Sequence, residues 1–439
     1  MTIKTIPARA PYGLLLAVLC SLNAGGLFAS DINLPGVPAT AHAFGTPVSS
    51  VQWTFSAFMI GIAFSQAVYG PLSDTYGRKR VIVTGQLVFI AASLLCAVAP
   101  TVTVFGAGRL LQAMGAGAGM VVGRAVISDL YAEKDAARMF TTVMPIVGIS
   151  PSVAPLVGGF LTSYVSWRAP FAVTAGLAAV TLAVVVTKIP ESLPPERRSR
   201  KLGVTLRGYP KLLTKPLFWA YTLNLSVAYG GYFGYLAASP LIFQKMGLST
   251  QVTSFCYITV SAAYVAGNLT SRKLIRRRPV DRLLWMGHGF FFAGAMMMLA
   301  LGLSRPGGHW GLLVLVFMPV MTFGNGFLLP LSMSAGGNAF RSTAGSASGL
   351  MGALQLLGAS LGIFLSSRLP TGDLFSLGWF VTITSLLGVV FFAAFTTLAG
   401  RQGAAAEPVV RHRPAAAPRP GADAALEAAE ADLQEAALD

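Results

Sequence analysis

The sequence predicts an all-α integral membrane protein with twelve transmembrane helices arranged in two bundles of six. Of its 439 residues, 54% are hydrophobic and only 11% are charged, and the mean hydropathy is +0.65. Soluble domains carry about 25% charged residues, so the composition excludes an ordinary soluble protein. Apolar runs of about 20 residues, the length that crosses a bilayer as a helix, recur along the whole chain.

Each apolar run is predicted to be a helix, because lipid cannot satisfy open backbone groups and the runs are too uniform for barrel strands. The expected spans lie near residues 12–33, 50–71, 81–99, 101–125, 139–163, 169–188, 216–240, 250–271, 283–304, 309–334, 342–366 and 374–398. The first run, after Lys4 and Arg9, resembles a signal peptide. It exceeds the usual apolar length of one, and eleven further spans need such a start, so we expect no cleavage.

The basic residues are distributed unevenly between the two sides of the membrane. The N-terminus and the loops after spans 2 and 8 hold dense clusters, whereas the alternate loops hold at most one basic residue each. These clusters are Lys4 and Arg9, then Arg78, Lys79 and Arg80, then Arg272, Lys273, Arg276, Arg277, Arg278 and Arg282. Because Lys and Arg stay on the cytoplasmic side, we expect both termini in the cytoplasm. Most of the net charge of +16 then comes from residues that orient the helices in the membrane, which argues against a nucleic-acid partner.

A polar, basic stretch between spans 6 and 7 divides the chain into two halves. We predict an N-terminal bundle over residues 1–188, a cytoplasmic linker over 189–215 and a C-terminal bundle over 216–400. This is the plan of transporters whose two parallel repeats rock about a site near the bilayer midplane. Residues 401–439 form a Pro/Ala/Arg stretch and then an Ala-rich acidic segment, without a core-forming face, and we expect a disordered cytoplasmic tail or a loosely formed helix.

The loop after span 2 combines glycines, one carboxylate and three cations within eleven residues. Its defining residues are Gly70, Asp74, Gly77, Arg78, Lys79 and Arg80. Composition alone would fit a plain positive-inside loop, but the spacing resembles the major facilitator superfamily signature G-x-L-[SA]-D-[KR]-x-G-[KR]-[KR], with Thr75 as the departure. The resemblance implies a transporter in which this loop gates the cytoplasmic side.

Span 4 contains an arginine at membrane depth. Arg109 must face a partner, because an intramembrane guanidinium costs at least a few kcal/mol. The run resembles the R-x-x-Q-G-x-G-x-A pattern of the same superfamily, with Ala113 and Met114 inserted after Gln112. The glycines that follow, starting at Gly115, are expected to pack helices closely.

Asp31, at the outer end of span 1, is the one acid that does not fall in a predicted loop or in the tail. Burial favours the neutral form of a carboxyl group and a nearby arginine favours the charged form. Asp31 with Arg109 is therefore predicted to couple transport to protons. The alternative is that Asp31 caps the helix or is solvated in the outer loop.

Two segments resemble the Bcr/CflA drug-resistance branch of the superfamily. The residues after Ser30 are similar to its D-x-Y-L-P-A-L-P start, with Asn33 replacing tyrosine. Span 5 is similar to the antiporter motif in its A-P-x-x-G-G form, through Pro151, Pro155, Gly158 and Gly159. The prolines permit bending, and the glycines are expected to pack on the opposite half unless they serve ordinary membrane packing. The resemblance implies export of drug-like molecules in exchange for protons, from the bacterial inner membrane.

Aromatic and amide side chains suggest a substrate cavity. Span 7 offers Tyr229, Tyr232 and Phe233, whose faces suit flat apolar or cationic ligands, although tyrosines also anchor helices at the interface. Asn23, Gln112 and Gln355 are intramembrane amides that orient a substrate or tie helices together.

The sequence carries no catalytic, ATP-binding or metal-binding motif, and the three cysteines show no ligand spacing. We therefore expect no enzyme activity and no cofactor, and we predict a proton-coupled multidrug efflux antiporter acting as a monomer in the lipid bilayer. The alternative is a transporter of the same fold for one metabolite, either an amino-acid-like exporter or a nutrient importer.

Overall fold

The computed structural model describes residues 12–130, 150, 153–194, 196, 209–304, 313–340, 344–369 and 373–401. These ranges contain helices and connecting turns and no strand. The helices are α1 (Tyr12–Asp31), α2 (Val37–Phe44), α3 (Val48–Tyr76), α4 (Arg78–Val98), α5 (Val102–Leu130), α6 (Val153–Tyr164), α7 (Ala169–Lys188), α8 (Tyr209–Leu213), α9 (Pro216–Lys245), α10 (Thr250–Leu274), α11 (Val280–Leu303), α12 (Val314–Ala339), α13 (Ala344–Ser366) and α14 (Leu374–Arg401).

A helix lies at each of the twelve predicted spans. Ten of the described helices are long and apolar enough to cross a membrane. The two remaining predicted spans, 7 and 5, correspond to α9, which has 30 residues, and to α6, a shorter apolar helix in the described end of span 5. Several helices extend past the predicted limits, most clearly α5, because helical hydrogen bonding continues beyond the apolar stretch. Helices α2 and α8, which the sequence analysis missed, are too short to span a bilayer.

The predicted loop after span 2 is almost entirely helical, which corrects the sequence analysis. Gly70 lies within α3, which continues to Tyr76, and α4 starts at Arg78. Only Gly77 separates the two helices, and its φ of 97° is in the region that glycine adopts without steric cost. The reversal between spans 2 and 3 therefore depends on this one glycine.

Each half packs around its own central helix. In the N-terminal half, α5 contacts α1, α3 and α4, and α4 contacts α7. In the C-terminal half, α9 contacts α12, α13 and α14, while α11 contacts α12 and α14. The predicted packing role of the span 4 glycines is confirmed at Gly115, where a Cβ would lie only 2.7 Å from the carbonyl oxygen of Gly85 in α4.

The two halves meet through α3 against α13 and α9, and through α2 against α9. Gln52 Nε2 donates to the carbonyl oxygen of Ala237 at 2.7 Å. The hydroxyl oxygens of Ser56 and Ser360 lie 2.6 Å apart, and Ser56 Oγ also lies 2.7 Å from the carbonyl oxygen of Ser360. These contacts involve the first turns of α3 and the later turns of α9 and α13, so they lie at the end of the molecule where α1 finishes.

Candidate transport site

Asp31 is the last residue of α1 and is buried, with 3% of its surface exposed. Its Oδ1 atom has no hydrogen-bond partner within the described part of the chain. A turn follows, in which the amide of Leu34 donates to the carbonyl oxygen of Asp31 at 3.1 Å, before α2 starts at Val37. A carboxyl group at this position is removed from bulk water and still has acceptor capacity to spare.

Arg109 in α5 is fully buried and binds the end of α1 through main-chain atoms. Its Nη1 donates to the carbonyl oxygen of Ala29 at 2.8 Å, and its Nη2 donates to that of Ser30 at 3.3 Å. Carbonyls in the last turn of a helix lack intrahelical partners, and a cation is favoured there. The described ion pairs do not include Arg109 with Asp31. The predicted pairing therefore takes a different form, in which the guanidinium fixes the two residues that precede the carboxylate.

Aromatic rings surround the guanidinium of Arg109. Its Cζ atom lies 4.2 Å from the ring centre of Phe58, 5.5 Å from Phe55 and 5.7 Å from Phe171. Cation–π contacts of this kind gain strength where water is excluded. Together with the carbonyl bonds, they explain how one arginine is accommodated in the interior of the N-terminal bundle.

The three predicted amides differ in their surroundings. Gln112 accepts from Arg109 Nη1 at 2.6 Å and donates to Ser93 Oγ at 2.8 Å, so its side chain connects α5 to α4. Asn23 donates to the carbonyl oxygen of Leu19 in its own helix at 2.8 Å. Both amides are buried, and Gln112 ties two helices together, which is the alternative that the sequence left open, whereas Asn23 bonds only within α1. Gln355 in α13 is only half-buried.

The predicted aromatic residues of span 7 form one cluster in α9. The ring centres of Tyr229 and Phe233 are 4.7 Å apart, and those of Tyr232 and Phe233 are 5.3 Å apart. Asp31 lies close enough to interact electrostatically with Tyr229, Tyr232 and Tyr257. The carboxyl group of one half therefore lies within electrostatic range of phenol groups of the other half.

Tyr257 in α10 was missed by the sequence analysis. Its hydroxyl lies 2.8 Å from Ser239 Oγ in α9. A single tyrosine within an apolar span carries no pattern that separates a site residue from a packing residue, so no sequence signal could have found it.

Helix α6 lies between the Asp31 turn and the opposite half. A Cβ at Gly158 would overlap the carbonyl oxygen of Ile32, and a Cβ at Gly159 would overlap Ser254 Oγ of α10. Gly159 thus packs on the opposite half as predicted, whereas Gly158 packs on its own half, one residue after Asp31. The sequence could not separate the two, because neighbouring residues on a helix face different directions. Pro155 is buried in the same helix, and Pro151 lies outside the described residues.

Arg78 is the centre of the predicted gate motif. Its Nη1 lies 2.6 Å from Asp74 Oδ1 and donates to Ser73 Oγ at 2.6 Å, and its Nε donates to Asp129 Oδ2 at 2.9 Å. Asp74 therefore pairs with a cation of its own motif. Lys79 Nζ donates to the carbonyl oxygen of Val186 at 2.8 Å. Arg80 is exposed.

Two acids that sequence analysis had assigned to loops belong to this network. Asp129 lies in the last turn of α5 and not in a loop. Glu191 follows α7, and its Oε1 accepts from the backbone amides of Arg78 at 2.9 Å and Leu193 at 3.1 Å. A carboxylate at the start of α4 satisfies a free amide and complements the helix dipole. The motif is thereby tied to the segment that leaves the N-terminal bundle.

Comparison with known proteins identifies the family. The family model of the Major Facilitator Superfamily matches residues 16–363. The chain belongs to the major facilitator superfamily. Multidrug resistance protein D of Escherichia coli (strain K12) is 29% identical over 392 residues, covering 89% of this chain and 97% of that protein. A chloramphenicol resistance protein of Pseudomonas aeruginosa is 30% identical over 290 residues, covering 65% of this chain and 68% of that protein.

A solved structure shows the same fold. The crystal structure of a D-xylose-proton symporter aligns with a TM-score of 0.69 at 16% identity, covering 86% of this chain and 97% of that one. The predicted twelve-helix fold of the major facilitator superfamily is confirmed, and so is the Bcr/CflA branch, to which the relatives named for drug resistance belong. Superfamily members are multi-pass membrane proteins that transport small molecules and are generally not enzymes.

Proposed function

We propose that the protein is a proton-coupled antiporter that exports small lipophilic or drug-like molecules by alternating access, with no enzymatic step. The names of its relatives, which include multidrug, bicyclomycin and chloramphenicol resistance proteins, support the substrate class. Residues 1–188 and 216–400 act as the two moving bundles, joined by the linker over 189–215, with residues 401–439 as a tail. The protein works as a monomer in the bacterial inner membrane, with both termini in the cytoplasm.

The observation that carries this proposal is the position of Asp31. Asp31 is a buried carboxyl group whose Oδ1 atom has no hydrogen-bond partner among the described residues, and it lies within electrostatic range of Tyr229 and Tyr232 in the other half. Placing a charge there is costly unless a proton or a bound ligand compensates it. Proton binding and substrate binding therefore compete for one carboxylate, which is the requirement for exchange.

The contacts between the halves support alternating access. Ser56 with Ser360, Gln52 with Ala237, and Gly159 with Ser254 hold the halves together at the end where Asp31 lies. With the N-terminus in the cytoplasm, this end is the outer one, and the structure is in a state closed to the outside. Export then requires these contacts to separate. Arg78 and its partners hold the other end of the N-terminal bundle and act as its cytoplasmic gate.

The test is proton flux in proteoliposomes under an imposed pH gradient, on addition of lipophilic cations, neutral antibiotics or amino acids. We expect drug-triggered proton movement in the wild type and none with Asp31→Asn. Asp281→Asn is the matched control, because Asp281 is exposed at the start of α11. Drug-driven proton flux retained by Asp31→Asn would refute the role of Asp31. A response to one metabolite and to no drug would refute the substrate class and leave proton coupling intact.

A further inference from the structure

The turn between α10 and α11 carries an unusual concentration of charge. Within residues 272–282 there are six cations and one acid, Asp281. All six cations are exposed, and none of their side chains is hydrogen-bonded or ion-paired within the described part of the chain. We name this surface the basic loop, and it consists of Arg272, Lys273, Arg276, Arg277, Arg278 and Arg282. This cluster holds twice as many cations as the Arg78, Lys79 and Arg80 run that follows span 2.

The end of α14 lies beside this loop. Helices α11 and α14 run antiparallel, and three contacts along their length keep one constant pairing. These contacts are Phe375 with Gly302, Thr382 with Ala295 at 3.3 Å, and Phe392 with Trp285 at 5.5 Å between ring centres. Moving one residue towards the C-terminus of α14 therefore corresponds to moving one residue towards the N-terminus of α11. The first residue of α11, Val280, is therefore level with residue 397, and α14 ends at Arg401 level with the basic loop.

The chain that continues from Arg401 has a complementary charge. Residues 421–439 contain six acids and no Lys or Arg. The acids are Asp423, Glu427, Glu430, Asp432, Glu435 and Asp439. The intervening stretch to Pro420 is itself basic and rich in proline, so it acts as a tether and not as the occupant. The tail thus starts beside a surface of six free cations and ends in a segment of six acids.

We propose that the acidic segment over residues 421–439 docks on the basic loop of the same chain. Reach is not limiting, because about 20 residues of extended chain span up to roughly 65 Å. A tether of this length gives an effective concentration in the millimolar range, so even weak charge pairing suffices for docking. The docked segment occupies the loop in competition with anionic phospholipid headgroups, which such clusters otherwise attract. This interaction is independent of what the protein transports.

The test measures the distance between the tail and the loop in the full-length protein. Spin labels are placed at Ile275→Cys, an exposed position of the loop, and at Leu433→Cys. The background carries Cys20→Ser, Cys96→Ser and Cys256→Ser. In phosphatidylcholine nanodiscs we expect a population below about 20 Å, against a broad distribution near 30 Å for a free tail of 32 residues. Raising the salt from about 0.1 M to about 1 M shortens the screening length from about 10 Å to about 3 Å and should remove that population.

Two comparisons make the result specific. The first comparison is a variant that neutralises all six acidic side chains of the segment without touching the membrane helices, and it should abolish the short distances at all salt concentrations. It carries Asp423→Asn, Glu427→Gln, Glu430→Gln, Asp432→Asn, Glu435→Gln and Asp439→Asn. A label pair at Leu303→Cys and Leu433→Cys reports the opposite end of α11 and should show no salt response. Short distances that persist in the neutralised tail, or that are absent from the wild type in phosphatidylcholine at low salt, would overturn the proposal. Short distances lost only in phosphatidylglycerol would support it as competition by lipid.

Discussion

Replacing Arg109 with lysine should destabilise the protein strongly although the charge is kept. The guanidinium spreads its donors over the carbonyl oxygens of Ala29 and Ser30 and over Gln112 Oε1. A lysine ammonium is a single point on a flexible stem and cannot reach all three acceptors. We expect two charge-assisted hydrogen bonds to be lost, at about 1.5–3 kcal/mol each.

One contribution to the free energy of unfolding opposes the loss of these hydrogen bonds. Arg109 Nε has no hydrogen-bond partner among the described residues, and its removal returns on the order of 1 kcal/mol. The net effect of Arg109→Lys is then a loss of about 2–5 kcal/mol, which lowers Tm by on the order of 10 °C for a domain of this size. The loss is also concentrated at the turn that presents Asp31, so drug-driven proton flux should fall with it.

The assay uses the three buried cysteines as reporters, since a thiol-reactive dye labels them only as the protein unfolds. Arg168→Lys is the matched control, because the exposed Arg168 side chain makes one long hydrogen bond of 3.5 Å and a cation–π contact with Trp167 that a lysine can retain. We expect its Tm to stay within about 1 °C of the wild type. A Tm for Arg109→Lys as high as that of the control would refute the account of Arg109 as the anchor of the α1 end.

Two further substitutions test the packing around the site. Gly158→Ala should lower the free energy of unfolding by roughly 1–3 kcal/mol, because the new methyl group overlaps the carbonyl oxygen of Ile32. The control Gly176→Ala in α7 meets no neighbour and should be neutral or stabilising. Equal Tm values for the two variants would contradict the close approach at Gly158. Ser56→Ala and Ser360→Ala should be non-additive in a double-mutant thermal-stability cycle, with a coupling of about 0.5–1.5 kcal/mol, and additive losses would mean that the two hydroxyls do not interact.

Sequence reasoning succeeded for features that depend only on the length and composition of runs along the chain. The twelve spans follow from the length of apolar runs. The gate motif with Asp74 was recognised from its spacing, yet the two further acids that bind Arg78 were not. Asp129 and Glu191 are separated from Arg78 by 51 and 113 residues in the chain, and nothing local marks either as its partner.

The candidate site was predicted by elimination more than by geometry. Asp31 and Arg109 stood out because charged groups at membrane depth are rare and need compensation. How they are related could not be predicted, because the guanidinium binds main-chain carbonyls, which every residue possesses. The different roles of Gly158 and Gly159 were equally hidden, since a sequence pattern shows two small residues but not the direction each one faces.

The proton binding that we propose at Asp31 has a structural route to the opposite half. The residues before Asp31 are held by Arg109 in α5, and the residue after it is in contact with Gly158 of α6. The neighbouring Gly159 contacts Ser254 of the C-terminal half. Because the side before Asp31 is fixed, a shift caused by charging or neutralising its carboxyl group is directed towards α6. Helix α6 already contacts the other bundle. Only the adjacent residues Gly158 and Gly159 therefore connect the turn that carries Asp31 to the C-terminal half.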